Sequence, residues 1–120
     1  TPDKKRRMEM EQLSNQNFHQ RDLIEQTVVQ LNKDLLSCGY TVAWNGNTFS
    51  AYQDIVMQLE VIIRQLAKSG SSTLNAWLYR VDIPEKALKK VLSKQDNQQA
   101  LAQAILERTF IKIMFRNSYR

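Results

Sequence analysis

The sequence contains few of the residues that break regular secondary structure. Its 120 residues include only three glycines and two prolines. A β-sandwich or β-barrel needs many tight turns, and turns are built mainly from glycine, proline and small polar residues, so this composition argues against both. It favours an all-α fold, a small bundle of four to five helices joined by short connections.

Cysteine and histidine are almost absent, with Cys38 and His19 the single examples of each. One cysteine excludes an intrachain disulfide, and a reduced compartment is the simpler expectation. Two such residues are too few for a zinc site, which takes about four ligands. On one continuous helix they would lie about 30 Å apart, too far for a nucleophile and its base. Cys38 is therefore expected to be a small buried hydrophobe.

Other catalytic and cofactor-binding patterns are also missing. The three glycines are isolated from one another, so no glycine-rich phosphate loop is present. Paired carboxylates can perform acid–base catalysis. Here, however, Asp82, Glu85 and Asp96 fall at predicted helix starts, and Glu107 adjoins an arginine. We expect a non-enzymatic protein with no metal, cofactor or small-molecule substrate.

No apolar run approaches the roughly 20 residues that cross a bilayer. The densest stretch, residues 56–66, is interrupted by Gln58, Glu60, Arg64 and Gln65. No secretory signal pattern opens the sequence. These features predict a cytoplasmic protein without a transmembrane segment.

The composition nevertheless supports a packed core. Apolar residues make up 42% of the chain and include four Phe, four Tyr and two Trp. Residues 18–120 are predicted to form a single helical domain. Residues 1–17 are polar and carry a run of four adjacent cations that repel one another, so they are predicted to form a basic tail, frayed or held by a partner.

Apolar residues recur at helical spacing in five segments. The predicted helices cover about residues 18–38, 50–68, 73–80, 84–93 and 97–117. Gly39 is expected to end the first in the left-handed conformation. The second has the strongest stripe and is expected to be the central helix. The predicted inward residues of the fourth are Ala87, Leu88, Val91 and Leu92.

Two helix starts carry capping patterns. Ser50 and Gln53 have the spacing of a capping box. Asp82, followed by Pro84 and Glu85, is expected to cap the fourth helix, so that replacing it by alanine costs about 1 kcal/mol.

Residues 40–49 have a different pattern, with alternating large side chains before the turn signal Asn-Gly-Asn. A short hairpin is possible, but an isolated two-stranded hairpin is barely stable in water. We expect a structured loop whose Tyr40, Trp44 and Phe49 pack on the helices. The alternative is an aromatic loop that recognises a partner.

The net charge of +5 lies entirely in the second part of the chain. Residues 1–49 contain six basic and six acidic side chains, whereas residues 50–120 contain eleven and six. Two rows of cations follow helix faces, and they are either solvated or bind a phosphate backbone without sequence preference. The candidate anion contacts, including the tail, are Lys4, Lys5, Arg6, Arg7, Lys86, Lys89, Lys90, Lys94, Arg108, Lys112 and Arg116.

The last helix is apolar on more than one face. Ile111 and Phe115 lie four residues apart, away from Phe110, Ile113 and Met114. Such a helix is buried on several sides or meets another chain. With the aromatic loop, Ile111 and Phe115 form a candidate partner interface.

The segment Leu78-Tyr79-Arg80-Val81-Asp82-Ile83-Pro84-Glu85, followed by Ile105-Leu106-Glu107-Arg108 and Lys112, resembles a family of small uncharacterised bacterial proteins. That family shares an LYRxD[IV][PS]E segment and an IxERxxxK-type C-terminal helix. The resemblance covers about residues 50–117 and implies a helical cytoplasmic protein.

Physically, the shared residues indicate a structural role. Arg80 is expected to pair with Glu107 or Asp82 and tie the helices together. Alternatively, Tyr79, Arg80, Glu107 and Arg108 line a small polar site.

Together these features predict a helical protein-binding or adaptor module that associates with a partner or with itself. The alternative is a basic factor bound to RNA, DNA or a ribonucleoprotein.

Overall fold

A computed structural model describes residues 21–95 and 97–118, except for the side chain of Ser71. Its helices are α1 (Arg21–Leu35), α2 (Ala51–Lys68), α3 (Ser71–Val81), α4 (Glu85–Leu92) and α5 (Asn97–Ser118), and a 3₁₀ turn (Leu36–Cys38) follows α1. No strand occurs in these residues, so the all-α bundle is confirmed. The predictions for the basic tail, His19 and an Asp96 cap lie outside the described residues.

The last helix, α5, is at the centre of the bundle and packs against all four other helices. It runs antiparallel to α1, because Asn117 near the end of α5 bonds Gln26 in the first half of α1, whereas Lys112 earlier on α5 acts electrostatically on Asp34 in the last turn of α1. The prediction that α2 is central was wrong. Apolar residues surround much of α5, whereas those of α2 are concentrated in one stripe, which offers a single face for burial.

The core combines stripes from α1, α2, α3 and α5, and Trp77 and Phe110 are its largest fully buried side chains. The predicted inward residues of α5 are buried, except that Met114 is partly exposed. Cys38 is partly buried against the same core.

Helix α4 departs from the prediction, because none of its eight residues is buried. Ala87 is exposed and Leu92 is 48% exposed, while Leu88 and Val91 are only partly covered. This short helix packs mainly on α5, so α4 is the least embedded helix.

Both predicted caps were wrong, whereas Gly39 adopts the left-handed conformation as expected (φ 79°). Ser50 precedes α2 but makes no side-chain cap bond, and the carboxamide oxygen of Asn47 accepts from the backbone N–H of Ser50 and Phe49 instead.

Asp82 ends α3 in the left-handed region (φ 63°), and Pro84 precedes α4. Ile83 and Pro84 separate Asp82 from the first residue of α4, so Asp82 lies too early to cap that helix.

Residues 40–49 form a loop without strands, and two side-chain amides clamp it between helices. Asn32 of α1 bonds both the N–H and the C=O of Val42, at 2.8 and 3.1 Å. Gln58 of α2 bonds the N–H and C=O of Ala43 in the same way, at 2.8 and 2.7 Å. In extended backbone, successive residues direct their polar groups to opposite sides. The amide clamp (Asn32 and Gln58) therefore satisfies both edges of the segment.

Candidate functional site

The C-terminal ends of α1 and α3 meet at one place on the surface. The Nη1 atom of Arg80 donates to the carbonyl oxygen of Asp34, at 3.3 Å, and to the hydroxyl of Ser37. Arg80 therefore ties α3 to α1, and the predicted pairing of Arg80 with Glu107 or Asp82 was wrong. Its long side chain reaches across to the last turn of α1, where carbonyl groups lack intrahelical donors.

The central helix completes this region, which we call the α1–α3 end (Asp34, Leu36, Ser37, Tyr79–Asp82, Arg108 and Lys112). Arg108 donates to the carbonyl of Asp82 at 3.0 Å and approaches its carboxylate at 3.4 Å. The ammonium of Lys112 donates to the carbonyl of Val81. Both carbonyls lie at the negative end of the α3 dipole, so the two cations act as C-terminal caps.

One carboxyl group of this region has a perturbed pKa. Partial burial raises the pKa of Asp34 above 3.8, because desolvation disfavours the carboxylate. A hydrogen bond from Gln30 and the charges of Lys112 and Arg80 act in the opposite direction without cancelling it. Asp34 is thus partly shielded from water beneath the cations.

Two large exposed apolar residues adjoin Ser37 and Arg80 in sequence. Leu36, next to Ser37, is 80% exposed, and Tyr79, next to Arg80, is 86% exposed. The sequence analysis did not predict Leu36 as an exposed residue. Its position in the helical pattern could have indicated this, because Leu36 directly follows Leu35, the last residue of the buried stripe.

The predicted partner residues are divided between buried and exposed positions. Tyr40 and Trp44 are partly buried against the core, and the Trp44 ring lies 5.6 Å from the guanidinium of Arg21. Phe49 is 90% exposed, so the prediction that it packs on the helices was wrong. On α5, Ile111 is partly buried and Phe115 is 59% exposed.

Glu107, the other residue predicted to pair with Arg80, lies away from it. Glu107 accepts a hydrogen bond from the Tyr52 hydroxyl at 3.1 Å, on the side of α5 that faces α2. The α1–α3 end thus brings together Arg80, Asp82 and Arg108, but not Glu107.

The two predicted rows of cations differ in their internal partners. On α5, Arg108 and Lys112 cap α3, and Arg116 donates to Gln30 at 3.4 Å. On α4, Lys89 approaches Glu85 at 3.6 Å, with both side chains exposed.

The ammonium groups of Lys86, Lys90 and Lys94 have no hydrogen-bond or ion-pair partner within the described part of the chain. Of the candidate anion contacts that the structure describes, the free ones are therefore Lys86 and Lys90 on α4 and Lys94, two residues beyond its end.

The described residues hold neither a cluster of metal ligands nor a membrane-spanning helix. They contain no group of three or more His, Cys, Asp or Glu side chains that could hold a metal ion. None of the described helices is both long and apolar enough to span a membrane.

Comparison with known proteins found no matching family model, no matching curated protein and no matching solved structure.

Proposed function

We propose that this protein is a protein-binding module whose docking surface is the α1–α3 end. The observation that carries the proposal is the exposure of Leu36 and Tyr79, at 80% and 86%, on two elements that Arg80 holds together. Single exposed apolar residues are common on protein surfaces, but Tyr79 and Arg80 are of the two residue types that, with tryptophan, are enriched in interface hot spots, and Leu36 adds apolar area.

The scaffold beneath these side chains is well supported. Arg80 fixes the end of α3 to α1, and the caps from Arg108 and Lys112 fix it to α5. Binding residues that stand on a braced scaffold lose little conformational freedom on association.

The polar groups of the surface indicate the chemistry of the partner. Both hydrogen bonds of Arg80 use Nη1, so Nε and Nη2 retain donors for a carboxylate. Lys33, on the last turn of α1, is exposed as well. The partner is therefore a protein segment with an apolar anchor for Leu36 and Tyr79 and an acidic residue for Arg80.

A second candidate function is binding of RNA or DNA through α4. It is supported by the free ammonium groups of Lys86, Lys90 and Lys94. The α5 row adds little support, because its cations already serve internal acceptors.

Photocrosslinking tests the docking surface. A photoreactive phenylalanine analogue replaces Tyr79, and the purified protein is irradiated in a lysate of its source cells. We expect one protein adduct that excess unlabelled wild-type protein suppresses. The competitor Leu36→Asp should need about tenfold more protein for the same suppression, because the variant places an unpaired charge in an apolar contact. Leu92→Asp is the matched control, because it changes an exposed leucine on α4.

The same experiment separates the two functions. Equal suppression by wild-type and Leu36→Asp competitors would contradict the docking surface. An adduct that nuclease treatment abolishes would favour nucleic-acid binding. So would an adduct that weakens by roughly 10³-fold between about 50 and 200 mM salt, the dependence of several phosphate contacts.

A further inference from the structure

The outer face of α2 exposes an apolar pair away from the α1–α3 end. Met57 is 62% exposed and Val61 is 52% exposed, whereas the opposite face of the same helix is buried. The two residues lie one turn apart, so their side chains are neighbours on the helix surface.

Opposite charges lie beyond this pair in the two directions along the helix. Asp54 precedes Met57 by about one turn, and Lys68 follows Val61 by about two turns, on the last turn of α2. The carboxylate of Asp54 and the ammonium of Lys68 make no ion pair or hydrogen bond within the described residues. Arg64, by contrast, is already paired with Glu60 at 3.1 Å and Gln98 at 3.0 Å. The face thus has an apolar centre with one uncompensated charge of each sign.

Because the negative and positive charges lie at opposite ends of the face, a two-fold rotation brings the negative end of one copy against the positive end of another. If two copies place their α2 helices side by side and antiparallel, with Val61 at the axis, residue 54 of each copy lies opposite residue 68 of the other. Met57 of each copy then lies within one turn of Val61 of the other, and both Asp54–Lys68 pairs can form. One face meets itself, which is the condition for a closed dimer.

We infer that the outer face of α2 (Asp54, Met57, Val61 and Lys68) is an interface between two copies of this chain. A different partner would need an apolar centre, a cationic side chain opposite Asp54 and an anionic side chain opposite Lys68. A second copy supplies this arrangement without any further requirement. The α1–α3 end lies on other elements and contributes no residue to this face.

Sedimentation equilibrium on the purified chain tests the interface. We expect a concentration-dependent monomer–dimer equilibrium in wild-type protein. Val61→Glu places two like charges at the axis and should raise the dissociation constant by about tenfold or more. Val29→Glu is the matched control, because Val29 is a valine of similar exposure (55%) on the outer face of α1. It should leave the equilibrium unchanged.

Charge reversal tests the pairing itself. Asp54→Lys and Lys68→Asp each place like charges opposite one another in a homodimer, so each variant alone should dissociate more readily than wild type. An equimolar mixture should recover dimer, because both pairs are complementary in the mixed species.

Three results would overturn the inference. The first is wild-type protein that stays monomeric up to about 0.5 mM, well above the micromolar range of weak specific complexes. The second is a dimer that Val61→Glu leaves intact. The third is a dimer that Val29→Glu weakens equally.

Discussion

Replacing Asn32 or Gln58 by alanine tests how much burial strengthens a hydrogen-bonded contact, because the loop residues that these two side chains bind differ in exposure. Each side chain makes one bond to a backbone N–H and one to a backbone C=O of the loop. The partner of Asn32 is Val42, which is 3% exposed, whereas the partner of Gln58 is Ala43, which is exposed. The two variants therefore compare the same pair of loop hydrogen bonds in partly buried and exposed surroundings, although Gln58 also donates from Nε2 to the Asp54 carbonyl at 3.3 Å.

The expected magnitudes follow from this difference. Without Asn32, the polar groups of Val42 lose their partners where water has little access, at about 1–3 kcal/mol for each unsatisfied group. Allowing for partial relaxation, Asn32→Ala should lower the free energy of unfolding by about 2–4 kcal/mol. Water can replace Gln58 at Ala43, so Gln58→Ala should cost only about 1 kcal/mol. Both changes gain a few tenths of a kcal/mol in helix propensity, which cancels in the comparison.

Urea unfolding followed by circular dichroism measures both values, provided that the slope m is unchanged. Hydrogen exchange adds a local readout, because Asn32→Ala should release the Val42 amide and Gln58→Ala the Ala43 amide. Equal destabilisation by the two variants would show that burial does not set the strength of these contacts. A loss below about 1 kcal/mol for Asn32→Ala would refute the clamp.

Three other predictions concern the α1–α3 end. Burial raises the pKa of Asp34 above 3.8, so the folded state holds the proton more tightly and loses stability as pH rises from 3.8 through the raised pKa. Asp34→Asn should therefore be more stable than wild type in urea at pH 7 and equal to it below about pH 3.5, and a constant difference across this range would contradict the assignment. Asp82→Gly should be at least as stable as wild type, since glycine relieves the left-handed conformation, and a loss of about 1 kcal/mol would contradict this. Lys112→Met keeps the apolar stem but removes the bond to the Val81 carbonyl, so it should cost about 1–2 kcal/mol in the same assay, and no loss would exclude a capping role.

The sequence by itself determined the secondary structure and the buried faces of the long helices. Apolar residues at helical spacing predicted α1, α2, α3 and α5, because a helix with one apolar face must bury it. Gly39 marked the end of the first helix, because glycine adopts positive φ without steric cost. These are local or periodic properties, which a single chain segment already contains.

Only the tertiary structure decided how the helix ends and the polar side chains are used. Asp82 lies at a position that suggested an N-terminal cap for α4, but in the structure it is the C-cap residue that follows α3, and Arg108 from α5 donates to its carbonyl oxygen. Arg80 found Ser37, which is 43 residues away in sequence, instead of the acidic residues near its own motif. Long flexible side chains can reach several acceptors, and the packing of helices selects among them.

The same reason explains the candidate surfaces. Nothing in the sequence links Leu36 with Tyr79, and only the contacts of Arg80 with Asp34 and Ser37 bring together the two segments that carry them. The position of α5 at the centre of the bundle was likewise undecided, because periodicity shows which face of a helix is apolar but not how many neighbours will cover it.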